Sequence, residues 1–289
     1  MSEWVLALDV GGTKTLVGAV DRQGNIRAEW HRSTRGDDDE VNAAITFAAA
    51  SARTEPLAPL AVAAGFPEFV TPDGTLSSRE VLSWTTQPAT TMPTAFQLEP
   101  QRCVVESDVR LGALGEAVYG AGQRAPSFLY LSVGTGLSSA FVIDDTVWAG
   151  SRGEAIAIGE WPTVSSELTL EQFCSGAALQ SRYAQATGVP RSAQELVVRA
   201  GTDPVAADVL ETAGHALGIA LAAAAQLLDP HAIVLGGGLG SAQTPLSRTA
   251  EWTYRNLTGK RPNPAPVIAA QCGHRSGLLG AAVAAWRTV

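Results

Sequence analysis

The stretch LALDVGGTKTLVGAVD, Leu6 to Asp21, decides how the rest of the chain is read. The apolar run Trp4 to Leu8 marks a buried strand. It passes into Asp9-Val10-Gly11-Gly12-Thr13-Lys14, where an acid, two glycines, a hydroxyl and a lysine share one turn. Thr15 to Asp21 reads as a second strand, so the unit is a strand, a glycine turn and a strand. Glycines let a backbone come close to a ligand and aim its N–H groups at an anion. An acid next to a phosphate makes sense when a divalent cation lies between them. The turn therefore suggests a nucleotide, a metal and a phosphate, with a plain hairpin closed by Gly-Gly as the alternative. The P-loop is set aside because no Gly-Lys pair here has the required spacing from an earlier glycine. The dinucleotide fingerprint is set aside because this turn enters a strand and not a helix.

An internal repeat extends the reading. Leu6–Asp21 lines up without a gap on Leu129–Asp144, LYLSVGTGLSSAFVID, with Gly11 on Gly134. A third apolar strand, Ala232–Leu235, runs into Gly236-Gly237-Gly238. Matched glycine turns in two halves predict a duplicated fold whose halves face each other across a cleft. Helices are expected at Val41–Ala52, Val109–Tyr119, Leu170–Ala184, Ala193–Ala200, Val205–Leu228 and Gly277–Arg287. Loops are expected at Phe66–Gly74 and Arg261–Pro266. Strands followed by helices, repeated, give an α/β class.

The 289 residues suit about two domains, and a 17% charged content describes an ordinary globular chain. A net charge of −8 argues against nucleic acid and against anionic membrane surfaces as partners. The chain enters a strand within three residues, so no secretory leader is expected. Ala220–Leu228 is apolar but closed by Asp229-Pro230, which reads as too short to span a bilayer. Cys103, Cys174 and Cys272 are scattered and odd in number, as reduced thiols in a cytoplasm would be.

Phosphoryl transfer needs a backbone that cradles phosphate, a divalent cation and a carboxylate that takes the acceptor's proton. Asp108, in Val104-Val105-Glu106-Ser107-Asp108-Val109, stands where a strand passes into a helix N-terminus, a usual place for a reactive acid. Capping that helix is the competing role. The helix dipole is expected to lower its pKa and keep it ionised.

These residues resemble the ROK sugar kinases of the actin/hexokinase/Hsp70 superfamily. Asp9–Lys14 matches their D-[IV]-G-G-T-K motif, and Gly134-Thr135-Gly136 resembles their second phosphate motif. Gly236-Gly237-Gly238 resembles their adenosine motif. Ser107-Asp108…Leu114-Gly115-Glu116 is similar to their catalytic segment, and Ser276–Ala282 to their closing helix. The resemblance implies a duplicated ribonuclease-H-like fold, with residues 1–115 and the helix 276–289 in a smaller domain and 116–275 in a larger one. It implies ATP with Mg2+ in the cleft and transfer to a hexose-type hydroxyl, with Asp108 as general base. Asp9 would position the hydrated cation. Gly11, Gly12, Thr13, Lys14, Gly134, Thr135, Gly136, Gly236, Gly237 and Gly238 would hold the nucleotide. Gly65, Glu80, Ser107, Asp108, Glu160 and Glu171 would face the sugar. A cytoplasmic homodimer is the expected form. Repressors of the same family carry a DNA-binding segment ahead of the first motif, and only eight residues precede Asp9 here. A family member that binds without turnover is the alternative to an enzyme.

The sugar side departs from the family. Its asparagine before the catalytic aspartate is Ser107 here. Gly150–Glu160 stands for its G-x-x-G-x-A-G-E-[IL]-G-H stretch, with Ile156-Ala157 in place of Gly-Glu and Glu160 in place of the zinc-site histidine. Trp161–Thr169 contains no cysteine or histidine, so no structural zinc is expected and packing by Trp161-Pro162 must order that loop. Glu171 matches a later sugar-binding glutamate. Glu160 and Glu80 add carboxylates that would suit a sugar bearing an amino group, unless both point to solvent. His31, His215, His231 and His274 have no spacing that suggests a metal site. Asp37–Glu40 reads as a solvated helix cap. Trp84 fits either the pocket or the core.

Overall fold

The structure, a computed structural model, describes residues 3–34, 36, 38–163 and 167–289. Along the chain run β1 (Val5–Val10), β2 (Lys14–Val20), β3 (Ile26–Ser33), α1 (Glu40–Ala52), β4 (Val62–Phe66), α2 (Pro88–Phe96), β5 (Cys103–Ser107) and α3 (Asp108–Tyr119). There follow β6 (Ser127–Val133), β7 (Leu137–Ile143), β8 (Thr146–Val147), α4 (Leu170–Cys174), α5 (Gly176–Thr187), α6 (Ala193–Arg199) and α7 (Pro204–Leu228). The last are β9 (Ala232–Gly236), α8 (Gly237–Gly240), α9 (Pro245–Thr258), β10 (Val267–Ala269) and α10 (Ser276–Trp286).

The chain divides into two compact units. One holds Met1–Gln123, Asp145–Ala155 and Arg275–Val289, and the other holds Arg124–Asp144 and Ile156–His274. In the first, the sheet order is β3-β2-β1-β4-β5, with β1 antiparallel to β2 and parallel to β4, and β4 parallel to β5. Alternation along β1 sorts its side chains. Leu6, Leu8 and Val10 join a core with α1, while Val5 and Ala7 join one with α3 and α10. The unit edge falls after α3, which packs on α10, whereas the sequence reading places it inside that helix.

The second unit repeats the scheme. Its strands run β10-β9-β6-β7, with β6 antiparallel to β7 and parallel to β9, and β9 parallel to β10. Leu129, Leu131 and Val133 of β6 and Ile233 and Leu235 of β9 share one core with residues of α4 to α7 and α9. The α/β class and the duplication are thus both present. The repeat is not gap-free, however. Val10 pairs with Thr15 across the first turn, whereas Val133 pairs with Leu137 across the second. The second turn is one residue shorter, so the alignment slips by one after it. Because strand side chains alternate faces, that slip decides which residues of β7 match those of β2.

Three further expectations change. Leu170–Ala184 is two helices, because Ser175 is extended (φ −67°, ψ 159°) and its side chain caps α5 at Ala178 N. In the acidic run, Asp37 lies outside the described residues and Asp39 caps α1 through Asn42 N. Glu40 is not solvated: it is 1% exposed and paired with Arg32 at 2.5 Å. Finally, the apolar stretch ending at Leu228 belongs to a 25-residue helix that is long and apolar enough, by length and composition, to cross a membrane. In this fold its buried side, including Leu210, Leu217 and Leu221, is part of the second unit's core.

Candidate active site

In the first unit the parallel strands line up their C-terminal ends. Asp9 of β1 is the register partner of Gly65 in β4, and Gly65 is the partner of Glu106 in β5. One residue past β5, Asp108 opens α3. A Cβ at Gly65 would stand 3.1 Å from the Asp108 Cα, a tight contact that the start of α3 would have to give way to, and glycine avoids it. The carboxyl edge of parallel strands is where α/β folds place reactive groups. Sequence positions 9, 65, 106 and 108 meet there.

Asp108 is half-buried, and one carboxylate oxygen accepts from Val109 N at 2.6 Å. Its pKa is pushed up to about 8, first by burial and next by the charge of Asp9; Glu68 adds to the rise, and the Val109 hydrogen bond opposes it. The expectation that the helix N-terminus keeps Asp108 well ionised is therefore overturned. Desolvation and like charges outweigh the dipole. No side-chain cap is made by Ser107.

Asp9 is also pushed up, to about 6, by burial, with Lys14 acting in the opposite sense. Its carboxylate lies against the first turn of α10, where a Cβ on Gly277 would stand 2.6 Å from the Asp9 Cγ. A shielded pair of hard carboxylate oxygens next to an open glycine turn suits Mg2+, which takes one or two carboxylates and completes its shell with water and substrate phosphates. Among the described residues no group of three or more His, Cys, Asp or Glu forms a cage for a metal. The turn itself is exposed at Gly12, Thr13 and Lys14, and is closed by Gly11 N donating to Lys14 O at 2.9 Å.

Two buried charged residues that the sequence reading did not single out organise this edge. Arg110, 4% exposed, donates to Glu106 at 2.6 Å, to Gly153 O at 3.1 Å and to Val70 O. Burial raises the Glu106 pKa, and Arg110 opposes the rise. Glu68, 5% exposed, accepts from four donors in the segment Ser78–Leu82. Nothing local in Phe66-Pro67-Glu68 signals this, since its partners lie ten or more residues away. Glu80 belongs to that segment with an exposed side chain. Trp84 packs on the first unit's core and donates to Ser78 O at 3.0 Å.

In the second unit, the turn Gly134-Thr135-Gly136 is held from behind by the break between α4 and α5. Gly176 N donates to Gly134 O at 2.8 Å and Ala177 N to Thr135 O at 3.1 Å. Glu171, expected at the sugar, accepts from Leu137 N at 3.0 Å, and a Cβ on Gly136 would collide with its Oε1. Its side chain supports the second glycine turn. Gly236 ends β9, and Gly237 sits at φ +73° with Val133 O 2.4 Å from where a Cβ would be; Gly238 is open. Glu160 is exposed at the end of the short 3-10 turn Ile158–Glu160. Gly150–Glu160 thus spans both units, Gly150–Ala155 lying in the first and Ile156–Glu160 in the second.

The described ends of the loop after Trp161 are held by more than packing. Pro162 bridges to Thr169, Thr163 N donates to Leu168 O, and Thr169 and Gln172 form a capping box. Val164, Ser165 and Ser166 lie outside the described residues.

Comparison with known proteins agrees in family. The ROK family model matches residues 5–288. A glucokinase of Streptomyces coelicolor is 30% identical over 96% of this chain and 96% of its own. A kanosamine kinase of Amycolatopsis mediterranei is 27% identical over 96% of this chain and 94% of its own. Among solved structures, a ROK family glucokinase from Streptomyces griseus in complex with glucose and AMPPNP has a TM-score of 0.84 and 28% identity, covering 98% of this chain and 99% of that one.

Proposed function

We propose, on the premise that the chain belongs to the ROK family and is a sugar kinase, that it moves the terminal phosphoryl group of ATP onto a hexose-type hydroxyl with Asp108 as general base. The observation that carries this reading is Asp108 itself. It is a half-buried carboxylate at the carboxyl edge of the sheet, with a pKa near 8 and Asp9 beside it electrostatically. A base poised near the working pH takes a sugar hydroxyl's proton best. In the first unit this reading assigns phosphate to the Gly11–Lys14 turn, the cation to Asp9 and the proton transfer to Asp108. In the second unit, taken by itself, it assigns the nucleotide to Gly134–Gly136 and Gly236–Gly238. When bound, Mg2+ neutralises charge on the transferring phosphate. Asp9 would hold the hydrated ion.

The acceptor in this reading is a sugar bearing an amino group. Glu80 and Glu160 are both exposed, so any contact they make with an amino group is at the solvent-facing side of the acceptor, and the support for an amino sugar is the kanosamine kinase among the relatives. Ser107 provides a smaller hydrogen-bonding group than the family asparagine. Gly65 is buried against the start of α3, so it serves the acceptor by letting Asp108 sit close to β4. A cytoplasmic homodimer belongs to the same reading through the family.

Turnover of ATP against glucose, mannose, glucosamine, kanosamine and N-acetylated hexosamines tests both parts. An amino sugar is expected to give the highest kcat/KM, and a plain preference for glucose would reject that half. Asp108→Asn is expected to lower kcat by roughly 10²–10⁴-fold, the scale of a lost general base, while nucleotide still binds. Retained turnover in that variant would reject Asp108 as base.

A further inference from the structure

Beyond a small addition to the Asp108 pKa, Glu68 is a carboxylate without a part in the chemistry above, and it is among the most buried charged groups of the described residues at 5% exposure. Among the described residues its hydrogen-bond donors are all in one segment. Oε2 accepts from Glu80 N at 2.9 Å and from the Ser78 hydroxyl; Oε1 accepts from Val81 N at 2.8 Å and Leu82 N at 2.7 Å. Three consecutive backbone amides and a hydroxyl pointing at one carboxylate form an anion nest filled from within the chain. Such charge-assisted bonds are stronger than neutral ones, and four of them fix a stretch that has no regular secondary structure. The segment is also tied at Ser78, which accepts from Phe69 N at 2.9 Å, and at Ser83, which accepts from Val41 N at 3.3 Å.

What the segment does is visible at Val81. Its side chain is 53% exposed, yet its Cγ1 lies 2.8 Å from where a Cβ on Gly12 would stand. The nest therefore rests a side chain directly on the first glycine turn. One residue earlier it sets the backbone of Glu80. A single buried acid thus connects the turn assigned to phosphate with the residue assigned to the sugar. Resting on the reading of the preceding subsection, we propose that Glu68 is a positioning residue of the kinase: it templates Ser78–Leu82 so that Glu80 and Val81 are presented to the acceptor and to the Gly11–Lys14 turn. It touches neither ligand and acts through the segment it folds.

Glu68→Gln keeps the shape but turns an amide NH2 toward at least one backbone N–H, so at least one bond of the nest is lost. Hydrogen exchange of the Glu80, Val81 and Leu82 amides is expected to quicken about tenfold or more, the scale of one lost net hydrogen bond, with distant amides unchanged. KM for the acceptor sugar is expected to rise about tenfold while kcat at saturation changes by less than about threefold. Unchanged exchange at those three amides overturns the proposal, as does a fall in kcat with acceptor KM unaltered. Should Glu68→Gln fail to fold, Ser78→Ala removes one partner and leaves the carboxylate in place. It is then expected to give the same pattern at smaller size, and no local change in exchange or acceptor KM would again overturn the proposal. Exchange is read on the free protein. A wild-type chain that phosphorylates no sugar would fail the kinase reading alone.

Discussion

The Asp9 carboxylate packs on the backbone of Gly277, with both its oxygens within 2.7 Å of the point a Cβ there would occupy. The two residues are almost the whole chain apart, yet the closing helix is the surface on which the first motif's acid rests. Asp9 lies on the sheet face shared with Val5 and Ala7, the face that α10 covers.

Gly277→Ala should therefore move Asp9 without unfolding the protein. Alanine is the better helix former, by up to about 1 kcal/mol, so thermal stability should hold or rise. The displaced carboxylate should lower kcat/KM for Mg-ATP by roughly 10–100-fold, as sub-ångström to 1 Å misplacements do. Steady-state kinetics with a melting curve on the same sample checks this, and unaltered kcat/KM would show that Asp9 needs no such seat.

The raised pKa of Asp108 makes a stability prediction with a definite sign. The folded value is about 8 against an ordinary 3.8, so folding favours the protonated acid. That contribution is complete below pH 3.8 and is lost as pH rises through about 8. Asp108→Asn is neutral throughout, so its Tm should match the wild type near pH 4 and exceed it increasingly toward pH 8, at about 2–4 °C per kcal/mol. The same value sets an acid limb in kcat/KM, with the rate falling as pH drops through the pKa of the free enzyme. A variant less stable than wild type at pH 8 would contradict the assignment.

Thr15 offers a control away from the chemistry. It is fully buried in β2, and its hydroxyl finds no hydrogen-bond partner among the described residues. An unsatisfied buried hydroxyl costs about 1–3 kcal/mol, and valine keeps the shape and the β-branch. Thr15→Val should raise stability by on the order of 1 kcal/mol in denaturant titration and leave turnover untouched. A destabilised variant would reveal a partner for the hydroxyl.

Much of this could be read before any coordinates. The strand–glycine turn–strand units at Asp9–Lys14 and Gly134–Gly136 are local patterns, and so is Asp108 at a strand-to-helix junction. Short-range chemistry announces itself in short stretches of sequence. The single helix expected over Leu170–Ala184 failed for a related reason. Ser175 takes an extended conformation, and the amides of Gly176 and Ala177 beside it donate to the carbonyls of Gly134 and Thr135, which stand far back in the chain.

The sequence by itself determined the α/β class, the duplication, the family and the order of the glycine turns, because each follows from periodicity or from residues adjacent in the chain. Tertiary structure alone decided what the acids do. Glu68 became the anchor of Ser78–Leu82, Glu171 turned to Leu137, Glu40 met Arg32, and Asp108 was driven toward neutrality by burial and by Asp9. A carboxylate's role depends on the water it loses and the charges brought near it, and both are set by strand register and helix docking.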